Sequence, residues 1–227
     1  MKSFSLKRPV APPSAPSWSL NRVLDLLCSE KYTEPFDMKL FTAKIMFLLS
    51  LAIGSRVSEL CALRRGNFVK FLPGGDLKLI PDPSVLAKNE NPMIRRQPLR
   101  ISGIPGADNI LCPVNNLRCY LAKSANCETT SLFVHPTGKS WTPAGTRRVL
   151  CSLIKEANPE SCPKSHDIRK MASSLAFFSS MTFQNMQAFT GRSSSKVFLR
   201  HYLKPIENLQ RTSVVLGRNV TAGRSRR

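Results

Sequence analysis

The sequence predicts an α+β domain, mostly α, with a small antiparallel sheet of about three strands. Three observations carry that expectation. Apolar residues recur at helical spacing up to Leu63 and again after Cys112. Between Asn67 and Ile101 the period shortens to two, in short runs broken by Pro73-Gly74-Gly75 and by a polar stretch from Lys88 to Pro92. Residues suited to capping helices stand where the helical periods begin, at Ser19, Ser55, Thr142 and Thr182.

In chain order, Met1 to Ser17 holds Pro9, Pro12, Pro13 and Pro16 and reads as a disordered arm, residues 1–16, ahead of the domain. Ser19 is expected to cap a helix to about Lys31, with Leu20, Val23, Leu24 and Leu27 on one face. A second, strongly apolar helix spans Phe36 to Ile53 and ends at Gly54. Ser55 should cap a third from Arg56 to Leu63, with Arg56 in its first turn. Phe68–Phe71, Leu77–Ile80 and Pro98–Ile101 are the strand candidates, and the last connection carries Lys88. Cys112-Pro113 opens a helix to about Lys123, and Leu132-Phe133-Val134 is brief and extended. Thr142-Pro143 starts a helix reaching Ala157, and His166 to Phe178 forms another, rich in small and apolar residues. Thr182 caps one more, and a last helix, Lys196 to Leu203, carries Tyr202. The domain therefore runs from 17 to 204, with a basic tail from 205 to 227.

At 227 residues the chain is long enough to bury a full core. It carries 34 Lys and Arg against 14 Asp and Glu, a formal charge of +20. The excess is not confined to the ends. Without the arm and the tail, the middle still holds 26 bases against 13 acids. Such a domain repels itself unless it meets a polyanion, and nucleic acid is the commonest one. The longest apolar stretch, Ile45 to Ile53, is about half of what a membrane span requires. The seven cysteines form no CxxC pair and stand at no zinc-finger spacing from His135, His166 or His201. That pattern argues against structural zinc and against a disulfide framework, and for a reducing compartment.

Within this basic chain, Arg56, Lys88, His166, Arg169 and Tyr202 follow one another as a set that suits attack on a DNA phosphate. A phosphodiester is anionic with a poor leaving group. One general acid or base supplies only ~10²–10⁴ in rate, so donors aimed at the developing charge must add more. Guanidinium groups grip two non-bridging oxygens and stay protonated, which suits Arg56 and Arg169. Lys88 could protonate the departing 5′ oxygen, and His166 could move a proton or brace the phosphate near neutral pH. Tyr202 would store the phosphodiester energy as a covalent link. Tyr32 and Tyr120 stand in unrelated contexts, and His201, adjacent to Tyr202, points elsewhere on a helix. The chemistry requires no metal or other cofactor.

These words resemble the tyrosine recombinases, the phage integrase family. Gly54-Ser55-Arg56-Val57-Ser58-Glu59-Leu60 looks like the first arginine box, a Thr/Gly-x-Arg-x-x-Glu-Leu pattern. His166-Asp167-Ile168-Arg169 resembles the His-x-x-Arg box, and Phe198 to Leu203 resembles the nucleophile segment. The wording is closest to recombinases of DIRS-type retroelements of animals, through Asp82-Pro83, Ala87-Lys88-Asn89-Glu90 and Leu111-Cys112-Pro113-Val114. The resemblance covers about residues 17–204. It implies an integrase-like catalytic domain, cleavage and rejoining of double-stranded DNA through a 3′-phosphotyrosyl link, a tetramer on DNA and a nuclear location. It implies neither a small-molecule cofactor nor a membrane.

Two departures stand out. The family's His or Trp donor ahead of the tyrosine falls here on Arg192, a longer and charged donor. Losing one such donor costs ~10²–10³ in rate. In place of the family's N-terminal core-binding domain stands only the proline-rich arm, so the chain reads as the catalytic half. Two alternatives follow: a catalytically impaired or domesticated DNA-binding protein derived from a mobile element, and relaxation of supercoils as in type IB topoisomerases.

Overall fold

A computed structural model describes residues 17–33, 37–85, 98–104 and 109–178. Its centre is one helix. α1 (Leu20–Cys28) and α2 (Glu30–Thr33) lead into α3 (Met38–Ile53). α3 is buried nearly all round, from Phe41 through Leu51, as its unbroken apolar sequence requires. Asp37 caps it, accepting the Lys39 and Leu40 amides, and Gly54 ends it in the left-handed region at φ 57°. α4 (Val57–Cys61), α5 (Pro113–Lys123), α6 (Pro143–Ala157) and α7 (Ser165–Phe178) all pack on α3. Each large side chain buried there contributes about 1.5–3 kcal/mol of transfer free energy.

Between α4 and α5 lies the sheet, β1 (Val69–Phe71), β2 (Leu77–Leu79) and β3 (Leu99–Ile101), antiparallel and in that spatial order. The expected strands are correct to within a residue or so at each end. Leu77, Leu79 and Ile101 join the core, so alternation fixes the register: Leu79 faces Val69 and Leu99, and Leu77 faces Phe71 and Ile101.

Arg65 holds the segment behind the sheet. Its Nε donates to the Ser131 carbonyl (2.9 Å), Nη1 to the Ser124 carbonyl (2.8 Å), and Nη2 to Ser124 Oγ (3.2 Å) and the Leu132 carbonyl (3.1 Å). Arg64 Nε reaches Asp82 Oδ2 at 3.1 Å, and Asp82 also accepts the Ser84 amide and hydroxyl. The chain thus leaves β2 through a turn fixed at Asp82.

Two local expectations need correction. The first helix is split: Ser29 takes extended backbone (ψ 158°), its hydroxyl donates to the Leu26 carbonyl, and α2 begins afresh. Ser19 stands at the N-cap of α1 but makes no side-chain cap bond; its amide instead donates to Asn158 Oδ1 (2.9 Å). Leu132-Phe133-Val134, expected to be brief and extended, is buried and flanked by isolated bridges from Ser131 to Arg64 and from Val134 to Ser140. By contrast, α5 and α6 start and stop where their Pro and Thr-Pro words predict, and Thr142 Oγ1 accepts the Gly145 amide. The arm, the tail and the helices expected after Phe178 lie outside the described residues.

Candidate active site

Arg56 is the residue before α4, at its N-cap, rather than within its first turn. The cap is also not the expected one. Ser55 Oγ is buried and makes no hydrogen bond among the described residues. Glu59 does the capping from inside the helix, its Oε2 accepting the Arg56 backbone amide at 2.8 Å. The same carboxylate then takes the Arg56 side chain, Nη1 to Oε1 at 2.6 Å.

Arg169 arrives at Glu59 from the far end of the sequence. α7 begins with Asp167 Oδ2 accepting the Lys164 amide (3.1 Å), while Lys170 Nζ pairs with Asp167 Oδ1 (3.1 Å). Asp167 in the His-Asp-Ile-Arg run is therefore a helix-starting residue. Ile168 then points into the core, and the small buried residues Ala172 and Ser173 seat α7 on α3. One turn from His166, Arg169 Nη1 meets Glu59 Oε2 at 3.2 Å. Positions three apart share a helix face, so exposed His166 and buried Arg169 project to one side of α7.

The result is two guanidinium groups on one carboxylate, differing in environment. Arg169 is 2% exposed, whereas Arg56 is 32% exposed. Burial pushes the Glu59 carboxyl up, but the Arg56 amide and the Arg169 and Arg56 charges outweigh it and hold the group below the usual carboxylate range. Glu59 stays ionised and neutralises one of two positive charges. The pair retains a single net positive charge, with the Arg56 edge facing solvent. That arrangement can receive an anion.

The structure thus brings together Arg56, Arg169 and, on the same helix as Arg169, His166. Lys88, Arg192 and Tyr202 lie outside the described residues. The two described tyrosines are core residues. Tyr120 is fully buried, its oxygen accepts the Val134 amide (2.8 Å), and burial raises its phenol. Tyr32 donates to Glu156 Oε2 (3.2 Å), and burial and that carboxylate raise its phenol further. Glu59 is the residue that sequence reasoning passed over. Its signal was available, since an acid three positions after an N-cap reads as half a capping box. Among the described residues no cluster of His, Cys, Asp and Glu is arranged to hold a metal ion, and no helix is long and apolar enough to cross a membrane.

No family model matches the sequence, and no curated protein does. Solved structures are similar in fold. The XerA recombinase superposes with a TM-score of 0.60 at 18% identity, over 98% of this chain and 68% of that one. The XerH site-specific recombinase, bound to its palindromic difH substrate after cleavage, gives 0.62 at 13% identity, over 90% of this chain and 52% of its own. The Tn1549 transposon integrase in complex with transposon right-end DNA gives 0.56 at 15% identity, over 93% and 67%. The chain therefore spans between about half and two thirds of these proteins. Its fold is that of tyrosine recombinase catalytic domains.

Proposed function

We propose that the protein cuts and rejoins double-stranded DNA through a 3′-phosphotyrosyl intermediate, as a recombinase or integrase. The observation that carries this reading is the convergence of Arg56 and Arg169 on Glu59, a contact that spans 110 residues of sequence between Glu59 and Arg169. A guanidinium pair held by one carboxylate is preorganised: the residual positive charge is in place before the phosphate arrives and costs no rearrangement. The net charge of +20 supplies attraction to DNA. The likeness to XerH and the Tn1549 integrase, both solved with DNA, supports the same partner.

In this mechanism the Arg56 and Arg169 guanidiniums stabilise the non-bridging oxygens. The Tyr202 oxygen attacks phosphorus, the bond to the 5′ oxygen breaks, and Lys88 delivers the proton to that leaving oxygen. His166 braces the phosphate or passes the tyrosyl proton on. Attack by a 5′ hydroxyl on the phosphotyrosyl link reverses the step and joins a new strand. With Tyr32 and Tyr120 committed to the core, Tyr202 is the remaining phenol. Recombination between two duplexes would use a tetramer, and residues 205–227 would serve as the docking segment. The closeness of wording to DIRS-type elements extends the proposal to a mobile-element origin and action in the nucleus.

Arg192 favours a second reading, a DNA-binding protein that has lost strand cleavage. A nicked suicide duplex, which traps the intermediate, separates the two. The expected result is a protein–DNA adduct stable to denaturant and lost in Tyr202→Phe. Tight binding without any adduct would leave the DNA-binding reading in its place.

A further inference from the structure

We propose that the outer face of the three-stranded sheet holds the phosphate backbone of double-stranded DNA through Lys70, Lys78 and Arg100. The inference deepens the reading above and rests on DNA being the partner. In the register of the sheet Lys70 lies directly opposite Lys78, and Lys78 directly opposite Arg100. The middle residue of every strand is thus a cation, on the face away from Leu77, Leu79 and Ile101. Lys70 and Arg100 are exposed and Lys78 is partly so.

Like charges directly opposite one another destabilise a sheet, by a few tenths to about 1 kcal/mol per pair. Two such pairs occur here, and among the described residues only Arg100 is paired with an acid. Asp76 Oδ2 accepts from Arg100 Nε at 2.8 Å and lies 2.7 Å from Arg100 Nη2, while its other oxygen takes the Gly103 amide at 3.3 Å. Among the described residues no carboxylate pairs with Lys70 or Lys78. Cations on edge strands commonly guard against edge-to-edge aggregation, which would account for Lys70 and Arg100. It does not account for Lys78, because β2 is the central strand and has no free edge.

The spacing suits a nucleic-acid strand. Neighbouring strands lie about 4.8 Å apart, so the row extends roughly 10 Å. Successive phosphates of one DNA strand rise about 3.4 Å along the helix axis and stand farther apart than that along the backbone, so a row of this length meets about two. A rigid row, already set by the apolar register, holds its charges in place before binding. The repulsion between them falls when counterions or phosphates lie over it.

The test is a titration of the full-length chain against a labelled duplex at several salt concentrations, by fluorescence anisotropy. For Lys70→Gln with Lys78→Gln, the slope of log K against log salt should fall in magnitude by about two. The loss should be alike for unrelated duplex sequences. Removing exposed Lys39 and Lys155 instead should leave the slope unchanged. Lys78→Glu gives the sharper signature: it sets a carboxylate between two cations, so the thermal midpoint should rise while DNA affinity falls, which a merely unfolded variant cannot do. An unchanged slope and affinity in these variants, with wild-type binding intact, would overturn the sheet contact alone. Tighter binding of duplex RNA than of DNA would reassign the face and overturn the proposal. Absence of any wild-type DNA binding would bring down the functional reading and this inference together.

Discussion

The helical centre and the outer sheet face treat charge in opposite ways. Around α3 the buried ions among the described residues are held by partners: Arg169 by Glu59, and Lys44, 2% exposed, by the carbonyls of Leu27 (2.9 Å) and Tyr32 (3.4 Å). Those carbonyls lie in the last turns of α1 and α2, where a cation satisfies acceptors that the helices leave open. On the sheet, by contrast, three cations stand in register, and among the described residues only Arg100 has an acid. A solvated face tolerates what a core cannot. The difference separates charge that the fold itself consumes from charge left over for a partner.

Removing partners from the core should break the first half of this contrast. The largest effect falls on Glu59. Glu59→Gln keeps the shape but takes the carboxylate from buried Arg169 and half-buried Arg56, and uncoupling a buried ion pair costs about 3–5 kcal/mol. Denaturant unfolding should report a loss of that size. A loss below about 1 kcal/mol would mean that Glu59 does not hold the arginines.

Next comes Lys44, whose burial lowers its ammonium pKa from 10.5 to about 8. The unfolded chain keeps its proton to higher pH, so stability should rise between about pH 8 and pH 10.5 and be flat in this group below. The shift corresponds to about 3 kcal/mol. Comparing wild type with Lys44→Met across that range isolates it. The rise should vanish in the variant, and a parallel pair of profiles would contradict the assignment.

A smaller effect is expected at Arg65. Arg65→Ala removes four hydrogen bonds that tie residues 124 and 131–132 to the segment between α4 and β1. Net hydrogen-bond values suggest a cost of about 2 kcal/mol. Hydrogen exchange should locate the loosening at 130–134 and leave the sheet protected; uniform loosening would deny Arg65 that local role.

What the sequence disclosed follows the same division. Local signals were legible: Thr142-Pro143 starts α6, Gly54 ends α3, and alternation finds the strands because each depends on a few adjacent residues. The split at Ser29 was hidden, since Val23, Leu24 and Leu27 keep helical period up to it, and the bonds that Ser29 makes back to the Leu26 carbonyl show only in the structure. The extended run at Leu132 had no strand partner to make it a sheet. The role of Lys44 was hidden, because the carbonyls it caps come from two other helices. Glu59 likewise takes its meaning from a residue far along the chain. Arg56, His166 and Arg169 were legible only through their words, and geometry then added the carboxylate joining the two arginines. Lys88, Arg192 and Tyr202 lie outside the described residues and stand on the sequence alone.

The central claim is that Tyr202 becomes joined to DNA under the guidance of the Arg56 and Arg169 pair. Mass spectrometry of the trapped complex, after nuclease trimming and proteolysis, tests this most directly. The account predicts a nucleotide linked through its 3′ phosphate to the peptide bearing Tyr202, and none in Arg169→Ala. A nucleotide on any other side chain, or an undiminished adduct without Arg169, would contradict it.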